Sequence, residues 1–154
     1  MHQNEDGTTA VRPRQSIGLL LSLASAQGVA TANAALRPVE LSSRSYSLLE
    51  HVEAHEGVSQ RGLADALRLD PSQIVALVDT LERRNLVERR PNPTDRRQRS
   101  VVATGLGRST LARARALVDN SLDEVLRDLD QGERETLHRL LLRIVGPNLP
   151  RSST

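Results

Sequence analysis

Tyr46 is the sole aromatic side chain in 154 residues, and the chain has no Phe, Trp or Cys. Its core must come from Leu, Val, Ile and Ala, which suits helices packed on helices with at most a small sheet. Without cysteine there is no disulfide framework, thiolate metal site or cysteine redox sensor. Without aromatics there is no stacking platform of the kind single-strand nucleic-acid binders use. The length allows one lobe with a proper core plus helices devoted to self-association.

The N-terminal part is unusual in charge. Residues 1–14 are polar, carry Gly7 and Pro13, and read as a disordered arm. No charged residue then occurs from Gln15 to Leu36. Arg12 and Arg14, the apolar run 17–23 and Ala24-Ser25-Ala26 have the layout of an export signal. Polar residues such as Ser16, Ser22, Gln27, Thr31 and Asn33 interrupt the run too often for a spanning helix. The segment therefore reads as a helix over 15–37, stopped near Pro38 and apolar on most sides, which must be buried against something larger than its short neighbours.

A second helix is expected over 42–56, with Ser42 or Ser43 as N-cap, Leu48, Leu49 and Val52 inside, and Gly57 past its end. Residues 59–86 hold two short helices. Ser59 caps the first, and Leu69-Asp70-Pro71 makes the turn, Asp70 serving as N-cap and Pro71 as first helical residue. Ile74, Leu77, Val78 and Leu81 then form one buried stripe, and Asn85 suits a left-handed helix stop. Two short strand-like runs, 86–90 and 99–103, flank the turn-forming Asn92-Pro93-Thr94-Asp95. Thr104 can cap a long helix to about 128, and Asp130 with Glu133 starts a last one, ending at Gly146-Pro147 before a polar tail, 147–154.

The middle is thus a helix-turn-helix followed by a charged hairpin. Such a pair of helices can set the second in a DNA major groove with its first turn at the base edges. The outward residues there are Ser72, Gln73, Val75 and Ala76. Gln can pair with adenine, Ser with either base, and Val or Ala with a thymine methyl. Arg61, Thr80, Arg83, Arg89 and Arg99 are placed to meet the DNA backbone. All 21 basic residues of the chain are arginine. Seven of them lie between positions 83 and 99 against only Glu88 and Asp95, a surplus of five in a chain whose net charge is +2. That asymmetry is the footprint of a nucleic-acid surface rather than of a hairpin charged only for solubility.

Asp95-Arg96-Arg97, followed by Val101, Thr104 and Gly107, resembles the wing signature of the MarR family of winged helix-turn-helix regulators. The stretch 81–89, Leu-Glu-Arg-Arg-Asn-Leu-Val-Glu-Arg, is similar to the end of that family's recognition helix and its first wing strand. Ala103 departs from the family's usual Leu, and Asn85 from its usual Gly. The similarity covers roughly 15–145. It implies a mainly α fold with a small β-hairpin wing: a winged-helix DNA-binding lobe at 42–107 and dimerisation helices at 15–37 and 108–146. It implies that Arg97 enters the minor groove, that Arg96 meets phosphate or the groove edge, and that Asp95 holds one of these arginines by a salt bridge. It implies a homodimer through the terminal helices, where Leu20, Leu23, Leu137, Leu140, Leu141 and Ile144 are the candidate interface. It further implies a cytoplasmic repressor on a near-palindromic operator, tuned by a small ligand, whose pocket Arg44, Tyr46 and His51 would line.

His51 and His55 are four apart on the second helix, a spacing that can set two imidazoles on one metal, with His138 the distant candidate for a third ligand. Histidines on a polar helix face are the commoner reading, and no metal or other cofactor is expected. A metal-responsive regulator and a winged-helix protein-interaction module remain the alternatives. No Gly-rich phosphate loop or catalytic motif appears, so no enzyme is expected. The acidic residues of 119–135 read as a solvated helix face.

Overall fold

The computed structural model describes residues 16–92, 95 and 97–146. In chain order these form α1 (Ile17–Ala35), a 3-10 turn (Arg37–Val39), α2 (Ser43–Ala54), β1 (Val58–Ser59), α3 (Gln60–Leu67), α4 (Pro71–Arg83), β2 (Val87–Pro91), β3 (Arg99–Ala103), α5 (Gly105–Val125) and α6 (Gln131–Val145). The expected polar arm and tail lie outside the described residues.

Most helix starts are written in local chemistry. The side chains of Ser16, Ser42, Ser59, Thr104 and Asp130 each accept the backbone N–H three residues on, satisfying a donor that the first turn would otherwise leave unpaired. Before α4, Gln73 Oε1 reaches back to the Asp70 N–H at 3.2 Å. Asn85 ends the α4 segment with φ 57°, as its position suggested.

Of the stripe expected on α4, Ile74, Val78 and Leu81 have no exposed surface and Leu77 is partly buried. The first three join Leu48, Leu49 and Val52 of α2, Leu63 of α3 and Val87 and Val101 of the sheet in one cluster. Leu111, Ala114 and Val118 belong to the same cluster, so the first half of α5 packs into the core of the helix-turn-helix and hairpin. Each such side chain contributes about 1.5–3 kcal/mol by leaving water.

The sheet has three strands, ordered β1-β3-β2 and antiparallel throughout. The hairpin was expected; β1 was not. Its two residues pair with Val101 and Ser100, stitching the loop after α2 to the inner wing strand.

Neither terminal helix buries anything in the protomer: no residue of α1 or α6 is buried. The first helix lies along α5. By length and apolar content, with mean hydropathy 1.3, it would also suffice to cross a membrane.

Candidate nucleic-acid interface

The exposed side of α4 begins at its first turn. Ser72, Val75 and Ala76 are exposed, followed by Asp79, Thr80 and Arg83, and a groove runs along Ala76, Asp79, Thr80, Glu82 and Arg83. Gln73 is half-buried and engaged with the Asp70 backbone, so the first-turn surface is carried chiefly by Ser72, Val75 and Ala76. Thr80 Oγ1 donates to the Ala76 carbonyl at 2.8 Å and accepts from Arg83 Nη2 at 3.2 Å. Arg83 Nε also donates to the Asp79 carbonyl, so both side chains are laid along their own helix.

The seven arginines of 83–99 separate into distinct environments. Arg84 points back to the start of α2, donating to the Glu40 and Val39 carbonyls. Arg90 pairs with Glu88. Arg97 and Arg99 are exposed, and among the described residues neither guanidinium has an ion pair or hydrogen bond; the same holds for Arg61 on α3. Arg96 lies outside the described residues.

Arg89 corrects the sequence reading. Placed there among groups meeting the DNA backbone, its side chain is only 15% exposed and wholly engaged inside the protein. Nε donates to Gln60 Oε1 at 2.7 Å and Nη2 to Asp79 Oδ1 at 2.6 Å, while Nη1 binds Glu82 Oε2. The other Glu82 oxygen accepts the Arg89 backbone N–H at 2.9 Å. Burial pulls the Arg89 pKa down, but hydrogen bonds and attraction from the two carboxylates outweigh it and leave the pKa raised. The reason is register. Arg89 faces the same side of the sheet as Val87, opposite Val101, and strand alternation turns it toward α4. That alternation, with Asp79 and Glu82 three apart on α4, was a signal in the sequence.

Of the two arginines Asp95 was expected to hold, Arg96 lies outside the described residues, and Arg97 meets Asp95 through its backbone. Asp95 Oδ1 accepts the Arg97 backbone N–H at 3.0 Å and its Oδ2 the Gln98 amide at 3.2 Å, so among the described residues it shapes the turn and leaves the Arg97 guanidinium unpaired. Asn92 N–H donates to the Gln98 carbonyl and closes the hairpin.

The three candidate ligand-pocket residues do not share a face. At about 100° per residue, Arg44 and His51 lie some 20° apart around α2, and Tyr46 about 160° away from Arg44. Tyr46 is half-buried on the α5 side and donates to Glu50 Oε1 at 2.9 Å. Glu50 and Glu53 pair with Arg115 of α5, each at 3.3 Å. Burial, then Glu50, raises the Tyr46 pKa, which keeps the phenol a donor.

His51 is buried, against the expectation of a polar face. Its ring stacks on His55 with centroids 4.2 Å apart, and its Nδ1 is buried without a hydrogen bond among the described residues. Burial, and then the neighbouring His55, lowers its pKa from the ordinary 6.5. The unfolded chain therefore takes up this proton at a higher pH than the folded one. Stability present above about pH 6.5 is lost as pH falls toward the lowered folded value. Thermal melts at pH 7.5 and 5.5 should show a larger loss for the wild type than for His51→Gln; equal losses would assign the acid sensitivity to another group.

A helix-turn-helix whose second helix leaves its first turn exposed, followed by a hairpin with exposed arginines near its tip, defines a winged helix-turn-helix protein. Comparison with known proteins places it more closely. The MarR family model matches residues 40–98. A MarR-family transcriptional regulator from Rhodococcus sp. RHA1 is 40% identical, with TM-score 0.80, over 85% of this chain and 93% of that one. CouR from Rhodococcus jostii RHA1, solved with p-coumaroyl-CoA, is also 40% identical, with TM-score 0.76, over 86% of this chain and 94% of that one. A CouR structure with a 23-mer DNA duplex aligns at 31% identity and TM-score 0.78, over 85% and 93%. A protein named for transcriptional regulation of the hcr operon in Thauera aromatica is 36% identical over 99 residues, 64% of this chain and 60% of its own length. The chain belongs to the MarR family of transcriptional regulators.

Proposed function

We propose that this chain is a homodimeric repressor that binds duplex DNA sequence-specifically in the cytoplasm and is tuned by a small-molecule effector. The observation that carries the DNA reading is the pairing of an exposed α4 first turn with two exposed wing arginines, Arg97 and Arg99, whose guanidinium groups have no partner among the described residues. A positively charged side chain without an acceptor is poised for phosphate or for a narrow minor groove. Ser72, Val75 and Ala76 offer a hydroxyl and methyl groups to base edges; Gln73, whose Oε1 accepts the Asp70 N–H, can add its amide N–H donors. Arg61, Arg97 and Arg99 supply backbone or minor-groove contacts, with Arg96 beside them in sequence. The effector reading is supported by CouR and its acyl-CoA ligand, and not by Arg44, Tyr46 and His51 as a set, because those residues point to opposite flanks of α2.

Selection of bound duplexes from a random pool tests the reading, with a near-palindrome of half-sites about 10 bp apart as the expected result. On the selected duplex, Arg97→Ala should leave thermal stability unchanged and reduce the log–log salt slope by about one unit. An unchanged slope and affinity would remove Arg97 from the interface.

A further inference from the structure

We infer that Arg89 is a positioning residue that fixes the recognition helix against the wing and thereby sets the spacing between the bases each of them reads. The inference rests on the DNA-binding reading above and assigns Arg89 a role other than contact. One guanidinium joins three elements: its own strand β2, Gln60 at the start of α3, and Asp79 and Glu82 on α4. The Glu82 carboxylate closes a second link by accepting the Arg89 N–H. No simpler side chain holds these acceptors together. Lysine brings the charge but not the planar fork that meets three groups in different directions.

The geometry matters because the core holds β2 only at Val87, and the strand grows more exposed toward the wing tip. After Arg83 the chain passes through the left-handed Asn85 before β2 begins, and the wing tip lies at the far end of that strand. A tilt of the outer part of the hairpin beyond Val87 would move the tip relative to the first turn of α4 while leaving each contact chemically intact. Binding would persist but would tolerate altered spacing. The clamp removes that freedom. Asp79 and Glu82 are part-exposed, with 52% and 37% of their side chains accessible, so water can solvate them when the arginine is lost and the fold can survive.

The test compares the selected duplex with one carrying a single extra base pair between the segments contacted by α4 and by the wing. Wild type should bind the lengthened site about tenfold or more weakly, since the insertion places contacted bases out of reach. Arg89→Met should bind the parent site about tenfold more weakly, discriminate the two sites by less than about threefold, and keep the wild-type salt slope, because no phosphate contact is removed. Arg89→Lys should behave like Arg89→Met. A salt slope lowered by about one unit with spacing discrimination intact would make Arg89 a phosphate contact and overturn the inference, as would full rescue by lysine. Should Arg89→Met fail to fold, Glu82→Gln, which keeps size and an acceptor, gives the same comparison, and unchanged discrimination there overturns it. A wild type that selects no sequence at all would defeat the DNA-binding reading, and the inference with it.

Discussion

Gly107→Ala is expected to destabilise this protein by about 3 kcal/mol or more, because the added methyl has no space and its neighbour cannot yield. A Cβ at Gly107 would lie 1.9 Å from the Leu86 carbonyl oxygen and 2.9 Å from its carbon. That carbonyl accepts the Thr104 N–H at 3.1 Å, while Thr104 Oγ1 donates to the Asn85 carbonyl at 2.6 Å and caps α5 through the Gly107 N–H at 2.9 Å. Leu86 itself is buried in the core, just past the left-handed Asn85. Relief by a backbone shift would therefore disturb the cap, the turn and the core together. The junction is also where the end of the recognition helix meets the helix that leads toward α6, so the same substitution should weaken DNA binding. Gly105→Ala, two residues earlier with nothing within 4 Å, is the control and should be neutral or slightly stabilising. Denaturant melts of both variants at one protein concentration decide the matter. Equal stability of the two would mean that α5 does not approach Leu86 this closely.

How much of this was legible from sequence depends on the range of the chemistry. Ser42, Ser59, Thr104 and Asp130 act on N–H groups three residues away, so their roles could be read from their immediate neighbours. The α4 stripe followed from helical spacing, and the hairpin from two short runs around a turn. By contrast β1 is two residues long and exists only because β3, some forty residues on, offers Ser100 and Val101 as partners. A local pattern holds no trace of that pairing. The arginines show the same limit for the site. Sequence counts charge but does not orient it, and Arg89 and Arg97 look alike until the strand register turns Arg89 toward α4 and the hairpin turn leaves Arg97 exposed. His51 was misplaced for a related reason. The helix around it is polar in composition, and its burial comes from tertiary packing that no local pattern records.

The last expectation concerns assembly. Replacing Leu140 and Ile144 together with aspartate should abolish the dimer and reduce DNA affinity by about a hundredfold or more, the scale of avidity lost when two linked half-sites become independent. Ile17, Leu20 and Leu23 of α1 and Leu140, Leu141 and Ile144 of α6 leave 40–77% of their surface exposed, and Leu137 is only partly buried. Apolar side chains exposed in this number on two helices are rare on a monomer and cost about 25 cal/mol per Å² left in water. The 19 residues of α1 and 15 of α6 are long enough for a two-fold interface of standard size, in which each copy presents the same patch. The same two-fold axis would turn both recognition helices toward one face of the duplex, which is why the half-sites should be inverted repeats. Light scattering should give the wild type twice its 16.9 kDa chain mass and the variant a monomer or unfolded chain. An intact dimer in the variant would move the interface off α6, and a wild-type monomer that grips one isolated half-site as tightly as the full operator would remove the dimer from the mechanism.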